Sequence, residues 1–379
     1  MQKAFLTFNK KIKTVYTRLN SSNVVPDFLK KAYFPSLDGW RAVAIILVVL
    51  GHSKFTVSDT SLYYRICNIF IYADLGVKLF FVLSGFLITT LLMKEMIANQ
   101  KINFKIFFIK RVLRIFPVFY LYLIVIAILN HFLNLGLISD HFLGPLLYIN
   151  NFSFFQPTWL TGHSWSLAVE EQFYIIWPFT FVFFGKNLWI FCLTFILVVP
   201  IMKVIWYYFP AYHEILLGPF IDSADSIFSG ALLAILSFKG FFNSKQKIWT
   251  INGLTACLIL IITMSMFSMH SGYLRFIFYA NTNLICNFCI CVLIIKTLII
   301  EKSRLYSILN HPLMLKLGII SYSLYIWQQL FIMPTGFYNN RISIFGFPFN
   351  IIGAVTAAFI SYYFFERYML KLKVKLINQ

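Results

Sequence analysis

Leu37 to Ser53 reads LDGWRAVAIILVVLGHS, an apolar run with one arginine near its start and one histidine near its end. The spacing predicts a helix, because the apolar run has no proline and polar residues only at its ends. Arg41 and His52 are eleven residues apart. At about 100° per residue that is three turns plus roughly 20°, so both side chains fall on one face. They are separated by about 16 Å along the axis, roughly half a bilayer core. Ionisable groups inside a membrane are expensive, so a cation and an imidazole on one stripe of such a helix mark a candidate site.

The chain around this stretch is membrane-like. Of 379 residues, 60% are hydrophobic, 12% are charged and 44 are phenylalanine, and the mean hydropathy is +0.78. A soluble domain carries about a quarter charged residues. The composition therefore predicts an all-α polytopic membrane protein and excludes a soluble globular enzyme. The net charge of +19 does not point to nucleic acid, because the basic residues punctuate apolar segments instead of forming a polar domain. The six cysteines, Cys67, Cys192, Cys257, Cys286, Cys289 and Cys291, read as small packing residues. The CNFCIC run at 286–291 lacks the histidine or acidic neighbours of a metal site, so no metal is expected.

Three regions follow. Residues 1–36 form a basic amphiphilic arm expected on the cytoplasmic leaflet, 37–366 form the transmembrane domain, and 367–379 form a short basic cytoplasmic tail. Ten spans in one bundle are expected, near 38–57, 66–92, 114–133, 170–185, 188–208, 222–238, 248–267, 276–296, 316–335 and 344–366. The spacer 134–169 has room for an interfacial piece, since LGPLLYI at 143–149 is too short to cross. With a cytoplasmic N-terminus, 26 of the 32 lysines and arginines fall on the cytoplasmic side and 4 opposite. That asymmetry puts both termini in the cytoplasm. No cleavable signal peptide is read in the first thirty-odd residues.

Four further stretches carry chemistry. In ADLGVKLFFVLSGFLITTLL (73–92), Asp74 and Lys78 form an i,i+4 pair, and Ser84-Gly85 sits mid-span, where glycine lets helices approach closely. In FFIKRVLRIFPVFYLYL (107–123), Lys110, Arg111 and Arg114 gather at the cytoplasmic mouth. They serve either as anchors to anionic lipid or as a phosphate clamp. In GHSWSLAVEEQFYIIWP (162–178), His163 and Glu170 share a face on a continuous helix, with Glu171 about 100° away. Such acids either mark an interface or belong to a site. In GIISYSLYIWQQLF (318–331), Tyr322, Tyr325, Trp327, Gln328 and Gln329 suit a sugar site or an aromatic belt equally. Asp222 and Asp225 are left open between an acceptor contact and an interface.

Five of these blocks, LDGWRAVAIILVVLGH, GVKLFFVLSGFLIT, KRVLRIFPVFY, HSWSLAVEEQFY and ISYSLYIWQQ, in this order, resemble the acyltransferase-3 family of integral-membrane acyltransferases. The resemblance runs from residue 36 to about 366. It implies a ten-helix domain in the bacterial cytoplasmic (inner) membrane. Such a domain moves an acyl group, usually acetyl from acetyl-CoA, to a hydroxyl of a cell-surface carbohydrate such as O-antigen, capsule or exopolysaccharide, or of a glycolipid. It implies that His52 is catalytic and Arg41 its partner, with Arg111 and Arg114 on an arginine block and Glu170 and Glu171 on a paired-glutamate block; from the residues, Glu170 or His163 is expected to orient the acceptor or the imidazole. The donor side would be Arg41, Arg111, Arg114, Lys110, Lys78 and Ser84. Acyl-CoA is the donor substrate, no permanently bound cofactor is expected, and membrane lipids surround the domain. Three departures stand out: Trp40 replaces a common leucine, Lys110 replaces a commoner arginine, and Gln328 stands where many members have histidine, so it cannot be a second base. Many members also carry an extracytoplasmic esterase-like domain after the last span; none is expected here, so transfer is expected to be completed alone or with a separate partner. The rival class, a transporter or flippase for a lipid-linked sugar or anionic solute, would show inverted halves with matching broken helices, and none is seen in the sequence.

Overall fold

A computed structural model describes residues 25–152, 154–155, 157–215, 218–242, 253–271, 275–334 and 346–377. The first two dozen residues of the amphiphilic arm, the start of the seventh expected span and the loop before the tenth lie outside them. No strand occurs among the described residues.

A helix lies in each expected span, but the second is broken: its start, 66–70, belongs to the short helix Leu62–Phe70, and the long helix begins only at Ala73. The long helices are α1 (Pro35–Ser53), α2 (Ala73–Asn99), α3 (Phe104–Leu133), α4 (Ser164–Phe184), α5 (Leu188–Tyr208), α6 (Gly218–Phe238), α7 (Leu254–Ser271), α8 (Arg275–Ile299), α9 (Pro312–Phe331) and α10 (Phe349–Ser361). Among the described residues, seven continuous stretches are long and apolar enough to cross a membrane, and one of them, Trp159–Tyr208, holds α4 and α5 in tandem. The apolar part of α7, Leu254–His270, is shorter. α9 has 20 residues, enough to span, but its polar content keeps it out of the seven. The chain is a multi-pass membrane protein.

By close contacts the chain divides into two compact units. Unit 1 takes the described parts of Met1–Trp40, Lys78–Ile102 and Glu170–His311, and unit 2 takes Arg41–Val77, Asn103–Val169 and the described parts of Pro312–Gln379. Each is held by its own close contacts.

In unit 1, α6 packs on α5 and α8, and α7 packs on α8. The crossing of α2 and α6 is a backbone contact made by two glycines. A Cβ on Gly85 would lie 1.9 Å from the Ile227 carbonyl oxygen, and one on Gly230 would lie 1.9 Å from that of Val82. Small residues at such a crossing let membrane helices gain packing that apolar side chains alone do not provide in lipid. Phe173, Trp177, Phe191, Phe195 and Phe228 fill the adjoining space, with Phe173 and Trp177 stacked at 5.0 Å and Phe228 edge-on to both. The Trp177 indole donates to Thr89 Oγ1 at 2.9 Å, so its polar edge is satisfied in the core.

In unit 2, α3 begins at the side-chain cap of Asn103, which accepts from Ile106 N, and runs unbroken through Pro117. α9 starts at Pro312, a first-turn position where the missing N–H costs nothing. It packs on α10, on α3 and on the short helix Trp159–Gly162. α10 passes through one π turn, Tyr362–Glu366, before the chain continues as Arg367–Ile377. That turn swings Glu366 into the interior, where it is 2% exposed.

Candidate active site

The polar residues of α9 bond, one after another, to different elements of unit 2. The Tyr322 hydroxyl donates to Ile115 O on α3 at 2.6 Å. Ser323 Oγ donates to Glu366 Oε2 at 2.7 Å. The Tyr325 hydroxyl donates to His163 O at 2.9 Å and shares a 2.6 Å bond with Ser166 Oγ. Gln328 Oε1 pairs with His52 Nδ1 at 3.2 Å. The Gln329 carbonyl accepts from Trp159 Nε1 at 3.2 Å. Residues 322, 323, 325 and 328 fan around the helix at about 100° per step, which is why one helix reaches so many partners.

The bond to His52 sets the chemistry. With Gln328 Oε1 facing the ring as acceptor, the proton sits on His52 Nδ1 and the lone pair on Nε2. The ring is held further by Trp159, edge-on at 5.5 Å. A glutamine that cannot act as a base thus orients the group that can. The sequence reading singled out Gln328 but assigned the orienting role to Glu170 or His163.

His163 lies within electrostatic range of His52. It is 4% exposed, and neither ring nitrogen has a hydrogen-bond partner among the described residues. Its ring stands edge-on to Tyr122 at 5.4 Å, and Tyr122 in turn stands edge-on to Trp327 at 5.5 Å. Trp327 Nε1, Gln328 Nε2 and Gln329 Oε1 are also buried without a partner. Buried polar groups are normally bonded, so several unpaired ones around a histidine pair mark a place for a polar ligand. The continuous helix expected through His163 and Glu170 is interrupted. Thr158 and Thr161 form a capping box on the Trp159–Gly162 turn, His163 occupies the junction, and α4 starts at Ser164.

Arg41, Lys110, Arg111 and Arg114 belong to the same unit. The Arg111 guanidinium lies over the Phe107 ring at 5.1 Å. Arg114 lies within electrostatic range of Glu366. The sequence reading passed over this carboxylate, because an acid at the end of a final apolar run looks like an interface marker. By α-helical rise, Ser323, which holds Glu366, and Gln328, which holds His52, are about 7.5 Å apart along α9. The Ser323–Glu366 and Gln328–His52 bonds are therefore made about one and a half turns apart on α9.

Glu170, Glu171, Ser84 and Lys78 fall in unit 1. Ser84 Oγ donates to Glu170 Oε1 at 2.8 Å, and the Tyr174 hydroxyl lies 3.4 Å from Glu170 Oε2. Glu171 is 7% exposed. Lys78 lies within electrostatic range of Lys203 and Asp225. Nearby, His213 Nε2 pairs with Asp222 Oδ2 at 2.8 Å, and Lys203 Nζ donates to the Asp222 carbonyl at 3.3 Å. Unit 1 thus holds an ionisable set of its own.

A helical membrane chain with an oriented histidine beside unpaired polar groups fits a group-transfer enzyme of the bilayer. The family model described as an acyltransferase domain matches residues 34–366, and the chain belongs to that acyltransferase-3 family. It is similar to the peptidoglycan O-acetyltransferase OatA of Listeria monocytogenes, 32% identical over 41% of this chain and 25% of that protein. A provisionally named O-acetyltransferase of Staphylococcus aureus is 24% identical over 95% of this chain and 61% of that protein. A provisionally named peptidoglycan O-acetyltransferase of Bacillus subtilis is 33% identical over 38% of this chain and 23% of that protein. The chain thus spans less than two thirds of the length of these curated relatives. No solved structure matches it.

Proposed function

We propose that the protein is an O-acyltransferase of the bacterial cytoplasmic membrane, with ten helices crossing and both termini cytoplasmic. It takes acetyl from acetyl-CoA on the cytosolic side and passes it to a hydroxyl of a cell-envelope glycan. The His52–Gln328 bond carries this reading, because it fixes the tautomer in which Nε2 is a base. Nε2 takes the proton from the acceptor hydroxyl, and the oxygen attacks the thioester carbonyl. The new C–O bond forms as the C–S bond breaks, and the imidazolium proton passes to the leaving thiolate of CoA.

His163 and the unpaired groups of Trp327 and Gln328 would hold the sugar hydroxyls, since polyols offer both donors and acceptors. Arg111, with Lys110, Arg114 and Arg41, would receive the phosphates of the donor, guanidinium groups being suited to bidentate phosphate contacts. The peptidoglycan acceptor in the names of two relatives makes cell-wall glycan strands the first acceptor to try.

The test is His52→Ala in native membranes, with transfer of labelled acetyl from acetyl-CoA to glycan as the readout. Loss of a general base lowers the rate by about 10²–10⁴-fold, and full retained activity rejects this role for His52. Movement of glycan across vesicles without thiol release would instead favour a transporter.

A further inference from the structure

Unit 1 contains a cavity of about 240 Å³ between α5, α6 and α8, walled by Leu193, Leu197, Leu233, Asn287, Phe288 and other aliphatic side chains. Its volume is below the roughly 300–1,000 Å³ of ordinary small-molecule sites, so it suits a single slender chain better than a ring system. Leu197 and Phe288 are 52% and 67% exposed. The cavity therefore reaches the outer apolar surface, where a lipid-derived molecule can enter sideways.

The wall has three polar side chains, and two of them are satisfied by the protein. Ser229 Oγ donates to Asp225 O at 2.7 Å, and the Cys291 thiol points to Ser229 O at 3.7 Å. Asn287 is different. It is 1% exposed, lines the cavity, and neither its amide oxygen nor its amide nitrogen has a partner among the described residues. A buried amide left open on both sides needs a ligand that donates and accepts.

We infer that this cavity binds a single-chain amphiphile from the bilayer, with its tail along the leucine wall and a hydroxyl or protonated carboxyl paired with Asn287. A plain hydrocarbon would fill the wall but leave the amide unpaired. A phosphorylated headgroup would bring a charge where the wall offers no cation.

The test uses the full chain purified in detergent, with the thermal unfolding midpoint read in the presence of 1-decanol or decane at matched micellar concentration. Decanol is expected to raise the wild-type midpoint by a few degrees and decane by less. Asn287→Leu should abolish the decanol shift while unfolding no earlier than wild type without additive, because it removes two unpaired polar atoms. Leu197→Trp closes the mouth without touching the amide and should abolish the shift independently. An equal shift in Asn287→Leu, an equal response to decane, or no response in the wild type would each overturn the assignment. The last result is the one expected if water alone satisfies Asn287.

Discussion

Replacing Gly85 by alanine tests the packing of α2 on α6 directly. The added methyl carbon would sit 1.9 Å from the Ile227 carbonyl oxygen, 2.8 Å from its carbonyl carbon and 3.0 Å from Ala231 N. Ordinary contact begins near 3.4 Å, so the facing backbone has to withdraw by 1.5 Å. These neighbours are main-chain atoms of a helix and cannot rotate aside, so the whole crossing must open. A gap of 0.5–1 Å already forfeits about a quarter to a half of each dispersion contact. Overpacking of this kind costs about 1–3 kcal/mol and occasionally more. That lowers the folded-to-unfolded ratio by roughly 5- to 150-fold, at about 1.4 kcal/mol per decade. Gly230→Ala should cost a similar amount, because its Cβ meets Val82 O at the same 1.9 Å. The double variant should cost less than the sum, since a crossing opened for one methyl is open for the other. Gly253→Ala is the control, having nothing within 4 Å of its added carbon among the described residues. The assay is the thermal midpoint of detergent-purified protein. A Gly85→Ala midpoint equal to that of Gly253→Ala, or strict additivity of the pair, would refute the reasoning.

Further outcomes follow from the same geometry. Gln328→Leu removes the acceptor that orients His52 and should lower kcat for acetyl transfer about 10- to 100-fold, as loss of an outer orienting group does elsewhere. KM should move little. Thr89→Val leaves the buried Trp177 N–H unpaired and should cost about 1–3 kcal/mol in unfolding. Trp177→Tyr would lose volume as well and is the poorer probe. Arg114→Ala strips a neighbouring cation from buried Glu366 and should lower the yield of folded protein. Adding Glu366→Gln should restore folding; if transfer then stays low, Arg114 also contacts donor phosphate. Burial pushes the Tyr63 hydroxyl up to about 12, despite its 2.6 Å bond with Ser53. A raised pKa means the unfolded chain releases this proton first, so stability is lost between about pH 10 and pH 12. Tyr63→Phe should remove one tyrosine from the ultraviolet titration in that range.

Helix positions were readable in the sequence because apolar runs of span length announce themselves, and each expected span carries a helix. The mid-span glycine was also readable as a close approach, though its partner Gly230 was not. The Arg41–His52 stripe drew attention to the imidazole on α1 but carried no sign of its bond to Gln328. Gln328 was discounted because an amide cannot act as a base, and its orienting role depends on a contact 276 residues away in sequence. Glu366 was missed for a related reason: only the π turn reveals that it points inward. Helical periodicity places residues on faces, and it carries no information about which distant face they meet. The pairing of Ser84 with Glu170, 86 residues apart, was hidden in the same way.

α9 illustrates what such wiring demands of the cell. The hydroxyls, indole and amides that let it hold several neighbours also leave it less apolar than the other long helices, so it gains little from meeting lipid alone. Its insertion is best served if α10, whose apolar outer residues include Phe349, Ile352, Phe359 and Ile360, enters with it as a hairpin. α9, which holds His52 through Gln328, thereby depends on its successor, and a truncation before α10 should strand it outside the bilayer even though every residue of the histidine layer has been synthesised.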